Sequence, residues 1–421
     1  MLDRRAFLKA GGVALFTLGQ GPAFLERTAF AAPAPGPNGR RKVLVTIFQR
    51  GAMDGLAAVA PTSDATLRRL RPRLALSAAR AAGSDAALDL GVDFALHPAF
   101  AELLPYWQEK RLAIVHAVGS PDPTRSHFDA QDYMESGCPG RKGTPDGWLN
   151  RVAGELGHDA TPFRAVAMTA ALPRSLYGRE PALALTNLRS FKVDLPGSSG
   201  AAEVAGRGFE ALYQQTSEDL LREAAADTFA ASHELQKLDV SRYTPSPTAR
   251  YPRSPLGLSL QQIAFLIKSD VGLEVAFAES GGWDTHVQQG ALTGSFAQRA
   301  RDLAQAIAAF ERDLSGRRDE VVILTMTEFG RTAAENGSGG TDHGHASCLF
   351  LLGHEVDGGK VHGRFPGLEK ENLYEGRDLA VTTDFRAVFA EVATRHFGIA
   401  DPRTLFPGWE GERLPLLRKT A

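Results

Sequence analysis

Residues 340–347 read Gly-Thr-Asp-His-Gly-His-Ala-Ser, which puts Asp342, His343 and His345 on one short loop; the apolar run 348–352 follows at once. Carboxylate oxygens and imidazole nitrogens crowded in this way suit a divalent cation. Two other loops carry the same chemistry. One holds Glu279, Asp284 and His286 in Glu-Ser-Gly-Gly-Trp-Asp-Thr-His, and the other holds Asp54 in Arg-Gly-Ala-Met-Asp-Gly. A fourth, Thr-Glu-Phe-Gly-Arg, contributes Glu328 and Arg331. The expected metal ligands are Asp54, Asp284, His286, Glu328, Asp342 and His343, with His345 as a further choice.

Each residue also has a plainer reading. Asp54-Gly55 is a common turn pair. Arg331 can form a salt bridge with Glu328, or hold a phosphate or sulfate oxygen in bidentate fashion. Ser126-His127-Phe128-Asp129 precedes a helix-like stretch. Ser126 there is a natural N-cap, with Asp129 three residues on. The same place at a helix N-terminus attracts anions, and a nearby cation activates a hydroxyl. Ser126, His127 and Arg331 are therefore the expected catalytic residues.

The elements around these loops alternate. Residues 42–48, 112–118, 273–278, 320–326 and 346–352 are apolar runs that read as strands. Their apolar character is continuous, as in strands buried on both faces of a parallel sheet. Helical spacing marks 98–110, 261–268, 296–314 and 384–397. Such alternation predicts an α/β layered domain. The polar candidates mostly fall just past strand ends, where open α/β sheets gather ligands. Residues 201–238 read as helical, and 150–257 as a helical cap or insertion.

The first 31 residues read as an export signal. Arg4-Arg5 is a twin-arginine pair, a modest apolar stretch runs from Ala10 to Leu18, and Ala29-Phe-Ala31 is a small-x-small cleavage site. The expected route is Tat, which carries folded proteins, and the expected compartment is the periplasm or beyond. A Pro-rich linker, 32–41, then leads into the main domain, 42–421. The chain carries 47 Lys and Arg against 49 Asp and Glu, a balance that disfavours a nucleic-acid partner. No later segment is apolar enough to span a bilayer. The two cysteines, Cys138 and Cys348, are far apart in sequence, and an oxidising compartment allows a bridge between them or two free thiols.

Taken in order, Arg4-Arg5-x-Phe7-Leu8-Lys9, Arg50-Gly-x-x-Asp54-Gly, Ser126-His127-Phe128-Asp129, Gly282-Trp-Asp-Thr-His286, Thr327-Glu-Phe-Gly-Arg331 and Gly340-Thr-Asp-His-Gly344 resemble the bacterial Tat-exported family catalogued as domain of unknown function 1501. That family sits in the alkaline phosphatase and sulfatase superfamily. The resemblance implies a three-layer α/β/α sandwich around a mostly parallel sheet, with metals at the strand ends. Alkaline phosphatases carry Asp-His-Ala-His-Ala-Ser, similar to Asp342-His343-Gly344-His345-Ala346-Ser347 here, and a Glu and Asp spaced like Glu279 and Asp284. This chain departs from them at the next ligand, with Gln288 where they have His. A second alignment makes Glu328 the strand-end ligand and His343 a later one.

The expected activity is hydrolysis of small phosphate or sulfate esters by one or two divalent ions. Zinc suits mixed Asp/His donors; manganese, calcium or magnesium would be favoured if carboxylates dominate. The alternative is a non-catalytic binding or assembly protein on a sulfatase-like scaffold, because fold does not fix function.

Overall fold

A computed structural model describes residues 39–76, 86–188, 238 and 240–418. The signal, most of the linker and most of the 201–238 stretch lie outside the described residues. Among the described residues the core is a nine-stranded sheet. Its strands are β1 (Val43–Gln49), β2 (Leu112–Gly119), β3 (Ala165–Ala167), β4 (Leu183–Ala184), β5 (Val275–Ser280), β6 (Val321–Met326), β7 (Ser347–Gly353), β8 (Lys360–His362) and β9 (Thr383–Asp384). The order is β8-β2-β7-β6-β1-β5-β3-β4, with β9 also on β2. All pairings are parallel except the two made by β7, with β2 and β6.

Every residue of β1, β2 and β6 is buried, which is why these strands read as unbroken apolar runs. Successive side chains of β1 enter opposite layers. Val43, Val45 and Ile47 join one core cluster, and Leu44 and Phe48 the other. The first cluster is closed by α3 (Pro255–Lys268) and α4 (Ser295–Asp313). Phe296, Ala300, Leu303, Ile307 and Phe310 line the buried stripe of α4, one helical face. The second cluster is closed by α2 (Trp148–Glu155) and α5 (Phe385–Phe397). Helices therefore cover both faces, and the architecture is an α/β/α sandwich.

The helix ends follow ordinary capping chemistry. Ser254 accepts from the Gly257 amide and Pro255 sits at the first turn of α3. Asp384 caps α5 from the Arg386 amide, and Gly398 ends it at φ 78°. Residues 98–110 are less regular than their spacing suggests. They form a 3-10 turn, Pro98–Leu103, then a short helix, Leu104–Gln108, with a kink at Phe100. Within 150–257, β3 and β4 join the sheet itself, next to β5. Cys138 and Cys348 are both buried and unbridged. Among the described residues, no helix is long and apolar enough to cross a membrane.

Candidate metal centre

The parallel pairings of β1 with β5 and β6, and the two antiparallel pairings that link β6 to β2 through β7, bring the carboxyl ends of β1, β2, β5 and β6 to one edge of the sheet. The loops that follow them carry Asp54, His127, Asp284 with His286, and Glu328 with Arg331. Because β7 runs the other way, its amino end, and Asp342-His343 before it, reaches the same edge. The 327–346 connection doubles back on itself. Gly344 donates to the Gly330 carbonyl at 2.9 Å, Gly330 to His345 at 2.8 Å and Thr332 to Asp342 at 2.9 Å. A Cβ on Gly344 would lie 2.3 Å from the Arg331 carbonyl carbon, so only glycine lets the two arms pack.

Three histidines and one carboxylate meet there. His286 Nε2 lies 2.9 Å from His343 Nε2 and 3.1 Å from Asp284 Oδ1. His343 Nε2 lies 3.2 Å from the same oxygen, and His127 Nε2 lies 3.6 Å from Asp284 Oδ2. Ligand atoms of His127, Asp284 and His343 all fall within 4.8 Å of one another. The His127 ring stacks on Phe329 at 4.9 Å and meets His343 edge-on at 4.3 Å.

Each ring has its Nδ1 committed elsewhere: His127 to Glu328 Oε1 (2.8 Å), His343 to the Arg125 carbonyl (2.9 Å), His286 to Asp342 Oδ1 (3.1 Å). Hydrogen bonds hold both carboxylates below their usual range. For Glu328, burial pushes the pKa up, but bonds from His127, Gln131 and the Gly51 amide outweigh it. For Asp342 the Asn336 amide is the main cause of the lowering. Ionised carboxylates and carbonyls only accept, so Nδ1 donates in each ring and a neutral ring points a bare Nε2 inward. His127 Nε2 is buried with no hydrogen-bond partner. Two bare nitrogens 2.9 Å apart repel, and either a proton on one ring or a cation shared by both relieves the repulsion; Arg331 Nη1 is 3.4 Å from His286. Burial lowers the pKa of His343, whereas the bond to Glu328 raises that of His127, so the bare Nε2 of His127 belongs to its deprotonated ring.

Arg331 is wholly buried. It donates to the carbonyls of Gly51, Ala52, Trp283 and Thr341 and, at 2.5 Å, to Asp284 Oδ1. It therefore ties three loops together instead of offering a fork to a substrate. Burial raises the Asp284 pKa, but the Arg331 bond and charge reverse the sign and keep the carboxylate ionised. Gly51 has φ 115°, and a Cβ there would meet the Asp284 amide at 2.5 Å. That close approach positions Asp284.

Other expected residues lie elsewhere. Asp54 is buried and paired with Arg71 at 2.8 Å; it also accepts from Gln289 at 2.7 Å and caps Gly55–Ala58. Its oxygens are thus occupied away from the cluster. Ser126 occupies the N-cap position of α1 (His127–Ser136), but its exposed hydroxyl makes no capping bond. Asp129 pairs with Lys142 at 2.6 Å instead. His345 Nε2 donates to the Ser120 carbonyl at 3.0 Å, and the ring packs on Tyr374. Glu279 is bonded to Arg50 at 2.7 Å. Sequence reasoning missed Gln131, which donates to Glu328 at 2.9 Å. The signal was present: Gln131 is four residues after His127 on one helix, and so on the same face. It also missed Asn336, whose amide holds Asp342 and the His286 carbonyl.

The chain belongs to the family described as "Protein of unknown function (DUF1501)", whose model matches residues 89–406. No curated protein matches it. Among solved structures it is similar to Thermus thermophilus alkaline phosphatase, at 13% identity and a TM-score of 0.26, over 73% of this chain and 64% of that one. It thus spans under two thirds of that chain. The PH0037 protein from Pyrococcus horikoshii is similar at 13% identity and a TM-score of 0.28, over 75% of this chain and 86% of that one.

Proposed function

We propose that this member of the family of unknown function is a metal-dependent hydrolase of small phosphate or sulfate esters, exported folded by the Tat route to the periplasm. The observation that carries the reading is the cluster of His127, Asp284 and His343 ligand atoms, with His286 Nε2 beside His343 and Asp284 and every Nδ1 held by an outside acceptor. Residues that would hold the ion are His127, Asp284, His286 and His343. Three imidazoles and one carboxylate favour zinc over magnesium or calcium, which take mostly oxygen. Bound there, a divalent ion supplies Lewis acidity and a lowered pKa for a coordinated water.

The chain's own groups prepare the rest. Glu328 and Asp342 orient rings, and Arg331 fixes the loops. Arg125 and Arg377 stand beside His343, one through its carbonyl and the other through a 2.9 Å bond to the His343 carbonyl. Both side chains are partly exposed and are paired with Asp378, Arg125 also with Glu375; an anionic substrate would have to compete with these carboxylates for them. Ser126, next to His127 and free of a capping role, is the nucleophile this reading assigns, with water as the alternative.

The test uses the folded mature chain, stripped by chelation and reloaded with zinc, against phosphomonoesters, phosphodiesters and sulfate esters. Turnover that disappears on chelation and in Asp284→Asn supports the reading. A zinc-loaded, folded chain that turns over none of the three ester classes removes the hydrolase claim.

A further inference from the structure

We propose that Glu328 is a positioning residue: it sets the ring form of His127 that turns a bare nitrogen to the cation, and it does not ligate the ion. The proposal rests on the metal reading above and gives Glu328 a role different from the ligand expected of it.

The carboxylate lies at the end of β6 and is fully buried. Three donors converge on Oε1: the Gly51 amide at 2.9 Å, Gln131 Nε2 at 2.9 Å and His127 Nδ1 at 2.8 Å. Thr327 Oγ1 occupies Oε2 at 3.1 Å. Oε1 is therefore engaged before any ion arrives, and Oε2 shares the one Thr327 hydroxyl proton with the Gln49 carbonyl at 3.0 Å. Gln131 presents its NH2 because its own carbonyl oxygen accepts from Arg50 Nη1 at 3.1 Å. Arg50 is fixed in turn by Glu135 at 2.6 Å and by the Phe48 ring 3.9 Å beneath it. The chain of contacts runs from Arg50 through Gln131 and Glu328 to His127. Its far end is His127 Nε2, buried and without a hydrogen-bond partner, facing Asp284. A carboxylate behind a ligating imidazole fixes the ring form and its direction, and removing such a partner costs about 10–100-fold in metal affinity.

Two substitutions separate positioning from ligation. In Glu328→Gln the amide oxygen can still accept at the Oε1 place, while its NH2 faces the Thr327 hydroxyl, which can accept. Glu328→Met has a similar length and no acceptor. The first readout is the nitrogen NMR spectrum of His127 in metal-free protein, at a pH above the imidazole range. The second is zinc affinity by chelator competition. Positioning predicts the proton on Nδ1 in the wild type and in Glu328→Gln, and its redistribution between the two nitrogens in Glu328→Met. It also predicts zinc binding within about tenfold of wild type for Gln, and about 10–100-fold weaker for Met. A wild-type His127 protonated on Nε2 overturns the proposal. So does a Gln variant that loses zinc as completely as the Met variant, the behaviour of a direct ligand. If the Met variant does not fold, the spectra and affinities of the wild type and the Gln variant still decide. A wild type that holds no zinc refutes the metal reading, and the His127 spectrum then reports on positioning separately.

Discussion

Replacing Arg331 with lysine separates a structural clamp from a substrate-binding arginine. The guanidinium is buried and donates to four backbone carbonyls and to Asp284. Lysine keeps the charge but has three donors on one point, against five in a planar fork. At least two of these bonds are therefore lost. Hydrogen bonds to charged groups contribute about 1.5–3 kcal/mol each, and the buried carbonyls left behind have no water to replace them. Arg331→Lys should thus destabilise the metal-free chain by about 3–6 kcal/mol, read as a fall in the urea midpoint. The loops after β1 and β5 would separate, so zinc affinity should fall as well. A substrate-binding role predicts the opposite pattern: an unchanged midpoint and a raised KM. A stability change below about 1 kcal/mol would refute the clamp argument.

Other perturbations have equally definite expectations. Gly51→Ala places a Cβ against the Asp284 amide at a backbone angle that side chains rarely adopt, so it should cost about 1–3 kcal/mol in strain and weaken zinc binding, checked by urea unfolding and chelator competition. Asp54→Asn leaves Arg71 buried beside an uncharged partner. It should lower stability by about 3–5 kcal/mol, while zinc retained per folded chain stays unchanged. The pH dependence has a marker far from the centre, Glu355. Burial raises its pKa, but His396 and Lys42 lower it further, so the folded value is below the usual one. A depressed folded pKa means that the stabilisation is complete above the ordinary glutamate range and fades as acid protonates the folded form. Urea midpoints of the wild type should therefore fall more steeply than those of Glu355→Gln through that acidic window. Parallel slopes would remove the assignment.

The sequence made the sheet legible where burial on both faces wrote long apolar runs, as in residues 43–49 and 321–326. Strands of two or three residues, Leu183–Ala184 and Ala165–Ala167, are too short for any period to show, and they passed unread. The candidate site was legible as a set of loops, because polar residues past strand ends collect at one edge. Roles within the set were not. Residue type and spacing do not say which ring nitrogen faces inward, so Glu328 and Asp342 read like His343 although they contact Nδ1 atoms. Asp54 is claimed by Arg71 and Gln289, distant partners that no local motif announces. Arg331 read as a partner of Glu328 or of a substrate anion, because its actual acceptors are four backbone carbonyls, which leave no mark on a sequence, and the distant Asp284.

The most direct measurement is X-ray absorption at the zinc edge on the folded chain carrying about one equivalent of zinc. The account predicts nitrogen and oxygen neighbours at about 2.0–2.1 Å, with outer scattering from imidazole rings that diminishes in His343→Ala. Zinc washed away from the folded wild type, or a spectrum without imidazole, would contradict it.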